Sequence, residues 1–302
     1  VIDTDPGVDD AVAILVALAS PELEVVALTT VAGNVGLDKT TLNARRLLAL
    51  AGREDVTVAA GCAEALAGSV VHEGGVHGAD GLGDLAWDEP AAAASPAHAV
   101  EVIMSALDEG PLSIVAIGPL TNLAVLLERY PDVASRVEHV VVMGGASFEG
   151  NVTPAAEFNV WADPEAAGAV FAASWPLTIM PLDLTHQAVL DDQDVAFLRS
   201  LGSEVGRRVA DMLEPYAAFH ERWYGSRAVY MHDVTAVYQL IDPTAILTQG
   251  VAVTVETGGE YSRGATWFDR RREHAASRVR VGVSLDSAAF AAVIRERLAT
   301  FA

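Results

Sequence analysis

Cysteine is almost absent. Cys62 is the single one in 302 residues, so no internal disulfide can form and nothing points to an oxidising compartment. Lysine is equally scarce: Lys39 stands alone, and 19 basic residues against 41 acidic ones leave a formal net charge of −22. Such a chain offers little to a phosphate backbone or an anionic membrane, which excludes nucleic acid polymers and charged lipid surfaces as expected partners. The basic run Arg270-Arg271-Arg272 lies between Asp269 and Glu273 and reads as a solvated face. No apolar run reaches the roughly 18 to 20 residues of a membrane span and no signal peptide is recognisable, so the cytoplasm is the expected location. Cys/His spacing of the zinc type is also missing.

What is present is a composition 51% hydrophobic, enough for a sizeable core. Val/Ile-rich runs alternate with Ala/Leu-rich helical patterns through the first two thirds, the signature of βαβ units and a parallel sheet. Strands are expected at 1–2, 24–31, 56–59, 112–117, 139–143 and 177–181. Helices are expected at 9–19, 37–51, 97–108, 120–129, 164–173 and 191–201. From about residue 203 the rhythm gives way to long helical patterns, strand-like stretches at 251–256 and 278–283, and a last amphipathic helix at 287–298. No linker or repeat divides the chain. The expected fold is therefore α/β, a Rossmann-like, open, mostly parallel sheet with helices on both faces and a C-terminal helical and β elaboration, in a single domain over 1–302.

The first strand runs into Asp3-Thr4-Asp5-Pro6-Gly7-Val8-Asp9-Asp10, four carboxylates within eight residues between a buried strand and a helix. Asp9 and Asp10 could simply cap that helix, but capping does not explain Asp3 and Asp5. Crowded like charges point to a cation, and oxygen-only ligands suit calcium or magnesium. The other strands also end in polar or glycine-rich residues: Ala32-Gly33-Asn34, Gly118-Pro119-Leu120-Thr121-Asn122, Gly144-Gly145 and Leu182-Asp183. In an open α/β sheet these ends converge on one rim, where ligands bind. The segment from Gly74 to Gly83 lacks the strand and helix a dinucleotide fingerprint needs, and reads either as a surface loop or, because of His77, as a loop closing over a site. Trp223-Tyr224, Tyr230 and Met231-His232-Asp233 form an aromatic and polar group ahead of a helical stretch at 234–240, where Asp233 serves as a helix cap unless it returns to the cation.

Together, Asp5-Pro6-Gly7-Val8-Asp9-Asp10, Ala32-Gly33-Asn34, Val76-His77-Gly78, Ile117 to Asn122, Met143-Gly144-Gly145, Glu157-Phe158-Asn159, Asp163-Pro164-Glu165 and Met231-His232-Asp233 closely resemble the inosine-uridine-preferring nucleoside hydrolases, in the family's order and over nearly the whole chain. The resemblance implies hydrolysis of ribonucleosides to ribose and free base in base salvage, with Ca2+ held by Asp5, Asp10, Asp233 and the backbone carbonyl of Ile117. Asp5 would also be the general base toward a metal-bound water. Asp9, Asn159 and Asp233 would hold the ribose 2′- and 3′-hydroxyls with Asn34 nearby, Asn151 and Glu157 would face the 5′-hydroxyl, and Met143 and Phe158 would pack on the sugar. His232 matches the proton donor to the leaving base, and His77 lies where a loop closes over that base. Trp267 falls where the purine-specific members carry a tryptophan. A homodimer or homotetramer is implied as well.

These residue types suit the chemistry independently of the resemblance. Breaking the C1′–N bond passes through an oxocarbenium-like state, which carboxylates and amides stabilise while a base activates water. A histidine near its ordinary pKa of roughly 6.5 can protonate a departing base at neutral pH. Two other readings stand beside this one. Asp3-Thr4-Asp5 also looks like the nucleophile motif of magnesium-dependent aspartyl phosphatases, although Lys39 lies far too early to serve that class. A nucleoside- or ribose-binding protein without catalysis would keep Asp9, Glu157 and Asn159 but has no need of Asp5 or His232.

Overall fold

The computed structural model describes residues 1–68, 72 and 75–302, together with the backbone but not the side chain of Tyr224. Gly74 therefore falls outside the described residues. In chain order the first half comprises β1 (Ile2–Thr4), α1 (Val8–Leu18), β2 (Ala27–Thr30), α2 (Leu37–Leu50), β3 (Thr57–Ala60), α3 (Ala99–Glu109), β4 (Leu112–Ala116), α4 (Thr121–Arg129) and β5 (Val137–Met143). There follow α5 (Phe158–Ala162), α6 (Pro164–Ala172), β6 (Leu177–Met180), α7 (Leu182–Thr185), β7 (Val189–Leu190), α8 (Asp192–Ser200), α9 (Glu204–Tyr224) and β8 (Val229–Tyr230). The chain ends with α10 (Val234–Ile241), β9 (Ile246–Gly250), β10 (Ala252–Val255), β11 (Thr266–Asp269), β12 (Val279–Leu285) and α11 (Ser287–Ala299).

Eight strands form one sheet in the order β3-β2-β1-β4-β5-β6-β12-β9, all pairs parallel except β12 with β9. The α/β expectation holds, with strand ends displaced by a few residues. The C-terminal third differs in its part: β12 pairs with β6 at Val279↔Leu177, and β9 closes the edge, so this segment completes the central sheet. Two small antiparallel pairs, β10 with β11 and β7 with β8, lie outside it.

Each sheet face has its own core. On one side α1, α2, α8, α9, α10 and α11 pack through Ile14, Leu15, Leu47, Leu213 and Phe290, and on the other α3, α4 and α6 pack through Ile103, Leu123, Val170 and Trp175. Helix α1 is apolar almost all round because it lies between the sheet and α10, α9 and α11. Only its first turn is charged. There the helix leaves extended Gly7 (φ −100°), whose N–H donates to Asp10 Oδ2 at 2.9 Å. The sharp junction of α5 and α6 is made by Asp163, whose Oδ1 accepts the Ala166 N–H (3.0 Å) and whose Oδ2 accepts Thr121 Oγ1 (2.7 Å) and the Leu66 N–H (2.8 Å), with Pro164 opening the next helix.

From β1 the chain first builds outward through β2 and β3, then crosses to β4 and builds the other way. That reversal leaves a crevice beyond the strand ends of β1 and β4, the place where open α/β sheets take ligands. Among the described residues, no helix is long and apolar enough to cross a membrane.

Candidate active site

A cleft opens at that reversal, lined by Asp9 from the first turn of α1, by Asn34 after β2, by Ile117 after β4 and by Met143 at the end of β5. Asn151, Glu157, Phe158 and Asn159 line it from the segment after β5, His77 from the loop before α3, and His232 and Asp233 from the turn before α10. Asp5 and Asp10 do not line the cleft but lie buried beside it. The thirteen positions singled out in the sequence thus gather in one region, eleven of them on the cleft wall.

Asp5 is clamped on all sides. Its Oδ2 accepts the Asn34 N–H at 2.7 Å, while Asn34 Nδ2 donates to the Asp5 carbonyl at 3.2 Å. A Cβ at Gly33 would lie 2.0 Å from Oδ2 and one at Gly118 2.6 Å from Oδ1, so only glycine lets both loops close on this carboxylate. Asp10 accepts Thr4 Oγ1 at 2.6 Å on one oxygen, and the Gly7 N–H and Asn34 Nδ2 on the other.

Carboxylate oxygens of Asp9, Asp10 and Asp233 all lie within 4.8 Å of one another, and all three residues are buried. Burial pushes the pKa of Asp5 well above the usual range, and the charges of Asp10 and Asp9 push it further. Asp233 is raised well above its ordinary value by burial and then by Asp10, Asp9 and Asp5, and Asp9 is raised to about 8 by burial and Asp10. Oδ1 of Asp5 is fully buried without a hydrogen-bond partner. Buried, mutually repelling oxygen ligands with an orphaned oxygen among them fit a hard divalent cation, whose charge removes the repulsion. The Ile117 carbonyl accepts Asn159 Nδ2 at 3.1 Å, which occupies one of its two lone pairs.

The polar wall formed by the segment after β5 is held by a set of hydrogen bonds. Glu157 caps α5, its Oε1 accepting the Asn159 N–H (2.7 Å) and its Oε2 the Gly145 and Val160 N–H groups (2.8 and 3.1 Å). Asn159 Nδ2 reaches the Ile117 and Met143 carbonyls, and Asn151 Oδ1 accepts the Phe158 N–H.

Opposite lie the histidines. His232 lines the cleft, and its Nδ1 is 2.7 Å from Thr185 Oγ1. Its pKa departs from the sequence expectation of an ordinary histidine: burial, then His186, His220 and His77, push it well below that value. His77 is likewise lowered to about 4 by burial and His220. The glycine-rich loop is more ordered than its composition suggests. Leu82 is buried, the Gly83 N–H donates to the His77 carbonyl (2.8 Å), Asn43 Nδ2 donates to the Asp80 carbonyl (2.8 Å), and Lys39 Nζ donates to that of Ala79 (2.8 Å).

Sequence reasoning did not single out Tyr216, Phe219 and His220, which α9 adds to the cleft wall beside Val76. Their spacing of three and one along a helix is the signal that could have found them. Tyr230 stands behind that wall in ring contact with His186, His220 and His232, whereas Trp223 is 66% exposed. Trp267 is not on the cleft: it sits on β11, 56% exposed.

Residues 1–292 match the family model described as inosine-uridine preferring nucleoside hydrolase. A relative named pyrimidine-specific ribonucleoside hydrolase RihA from Shewanella woodyi is 41% identical over 274 residues, covering 89% of this chain and 88% of the relative. The protein of that name from Citrobacter koseri is 40% identical over 99% of this chain and 97% of its own. Among solved structures, a plant nucleoside hydrolase superposes with a TM-score of 0.92 at 36% identity, covering 98% of this chain and 97% of that one. A purine-preferring ribonucleoside hydrolase from Gardnerella vaginalis gives 0.94 at 31% identity, with 99% and 98% covered.

Proposed function

Since the chain belongs to the inosine-uridine preferring nucleoside hydrolase family, we propose that it hydrolyses the N-glycosidic bond of ribonucleosides through the cleft described above, with Asp5 as general base and His232 as donor to the departing base. The observation that carries this reading is the gathering of the buried Asp9, Asp10 and Asp233 carboxylates, with Asp5 buried beside them, next to a cleft that His77 and His232 also line. Asp5, Asp10, Asp233 and the Ile117 carbonyl would hold a calcium ion. When bound, calcium supplies the positive charge that offsets these carboxylates and helps to polarise water.

The chain's own residues do the rest. Asp9, Asn159 and Asp233 bind the ribose 2′- and 3′-hydroxyls with Asn34 beside them, while Asn151 and Glu157 face the 5′ end and Met143 and Phe158 cover the sugar. Buried carboxylates so placed favour a ring that gains positive charge as the C1′–N bond lengthens. Asp5, held by Asn34, Gly33 and Gly118, takes the proton of the attacking water. At the other end of the bond, Thr185 fixes the His232 ring through Nδ1 and leaves Nε2 for the base. Burial and the neighbouring imidazoles favour the neutral ring, which in this reading accepts the Thr185 hydroxyl at Nδ1 and donates to the base from Nε2.

Pyrimidine ribonucleosides are the proposed preferred substrates, since the curated relatives near 40% identity carry that specificity in their names. The test is release of free ribose from uridine, cytidine, inosine and adenosine by wild type and Asp5→Asn, each with calcium and with a chelator. Release that disappears in Asp5→Asn and under chelation supports the assignment. Release that survives in Asp5→Asn, or faster turnover of inosine than of uridine, overturns the base assignment or the substrate preference respectively.

A further inference from the structure

The turn that follows β5 is held by side chains from three separate elements. Gly145, Ala146 and Ser147 give consecutive backbone N–H groups to Glu157 Oε2 at 2.8 Å, Thr266 Oγ1 at 2.8 Å and Asp183 Oδ2 at 2.6 Å. The Gly145 carbonyl accepts the Leu182 N–H at 2.9 Å. Thr266 does more than accept, since its Oγ1 also donates to the Ala146 carbonyl at 2.8 Å. A hydroxyl is donor and acceptor on one atom, so it serves both polar groups of a single residue.

Thr266 opens β11, in a small antiparallel pair outside the central sheet, yet it is only 3% exposed. Gly145 lets it come close: the backbone there has φ +79°, and a Cβ would lie 2.9 Å from Thr266 Oγ1. The neighbouring residues fasten the same strand end to the site. Ala265 bridges to Ala156, the residue before Glu157, and Arg263 grips both carboxylate oxygens of Glu165 on α6 at 2.7 Å. Glu157 lines the cleft and Thr266 does not. The bonds from the Asn159 and Val160 N–H groups to Glu157 come from the α5 turn that it caps, whereas the Gly145 N–H ties its carboxylate to the end of β5.

We propose that Thr266 is a positioning residue for Glu157: by holding both polar groups of Ala146 it keeps the Gly145 N–H aimed at Glu157 Oε2, and so sets how well that carboxylate receives the substrate's 5′-hydroxyl. The 5′-hydroxyl rests on the hydrolase reading above, whereas the positioning of Glu157 does not. A contact remote from the reacting bond contributes to rate by holding the ring while the C1′–N bond breaks. Loosening Glu157 therefore harms nucleosides that carry the hydroxyl and spares those that lack it.

The test compares uridine with 5′-deoxyuridine in calcium-loaded protein. Thr266→Val keeps the shape and removes the hydroxyl; kcat/KM for uridine should fall about 10-fold, the scale of one hydrogen bond to a charged group, and that for 5′-deoxyuridine by less than about 2-fold. Thr266→Ser should restore the preference for uridine, and in a Glu157→Gln background Thr266→Val should lower that preference no further. Equal losses on both substrates, no rescue by serine, or a further loss in the Glu157→Gln background each overturns the proposal. Amide exchange needs no substrate: in Thr266→Val the Gly145 N–H should exchange about 10-fold faster relative to that of Ile117, which is bonded to β1, and an unchanged ratio refutes the positioning. If Thr266→Val does not fold, Thr266→Ala, which leaves space for water at Ala146, takes its place in both measurements. Should wild type cleave no nucleoside, the exchange ratio still decides the positioning, and the 5′-hydroxyl falls with the hydrolase reading.

Discussion

Replacing Gly33 by alanine tests the claim that Asp5 is held by close backbone approach. The new Cβ would lie 2.0 Å from Asp5 Oδ2 and 2.8 Å from both Asp5 Cγ and Pro119 Cδ, whereas ordinary contact begins at 3.4 Å. With proline on the other side, relief must come from the carboxylate, which has to retreat by about 1.4 Å. That movement breaks the 2.7 Å bond from the Asn34 N–H. Losing a hydrogen bond to a buried acceptor costs about 1–3 kcal/mol and overpacking a similar amount, so a loss of about 2–4 kcal/mol is expected. With Asp5 as the proposed base, kcat for ribose release should fall by about 100-fold or more, the cost of misplacing a catalytic group by about 1 Å. Thermal unfolding and ribose release measured on the same preparation are the assay. A Gly33→Ala protein with wild-type Tm and kcat would show that the carboxylate is not confined as argued.

Gly168→Ala is the matching control: it lies inside α6 with only Val255 Cβ at 4.0 Å, so Tm should rise by the equivalent of up to about 1 kcal/mol with ribose release unchanged. Asp163→Ala removes the α6 cap and strands Thr121 Oγ1 and the Leu66 N–H, and urea titration should show about 2–4 kcal/mol less stability. His220 is 2% exposed and its pKa is lowered to about 4, by burial first and by His186. The unfolded chain takes the proton first, so stability is complete above about pH 6.5 and falls as the pH drops toward 4, by about 3 kcal/mol at most. His220→Gln should flatten that part of a Tm-against-pH curve, and a curve of unchanged slope would count against the burial argument.

The parallel half of the fold was legible because strands buried on both faces read as Val/Ile runs and helices between them as Ala/Leu periodicity. The carboxylates of the first turn were legible too, since their spacing is local. What lay hidden depends on tertiary choice. The spacing of Tyr216, Phe219 and His220 marks one face of α9, but the cleft which that face turns to exists only in the folded chain. The entry of β12 between β6 and β9 is set by pairing across about a hundred residues, which composition does not encode. Trp267 shows the opposite failure: a plausible residue type that β11 holds away from the cleft. The depressed pKa of His232 follows first from burial and then from the rings of His186, His220 and His77, which meet only in the folded chain.

The two sides of the cleft are fastened by different means, and this has a consequence for how they open. The carboxylate side hangs from the middle of the sheet: the Val31 N–H donates to the Thr4 carbonyl at 3.1 Å and the Ile117 N–H to that of Asp3 at 2.8 Å, so ladders on both flanks must separate before Asp5 can leave its place. The His77 side is tied to α2 by side-chain bonds from Lys39 and Asn43 and to α1 by the Val8 N–H, which donates to His77 Nδ1. Amides of the first group should exchange with solvent only when the whole molecule unfolds, and those of residues 75–84 through a far smaller local opening. On that expectation the costly task of crowding four carboxylates is done once, at folding, and is not repeated at each turnover.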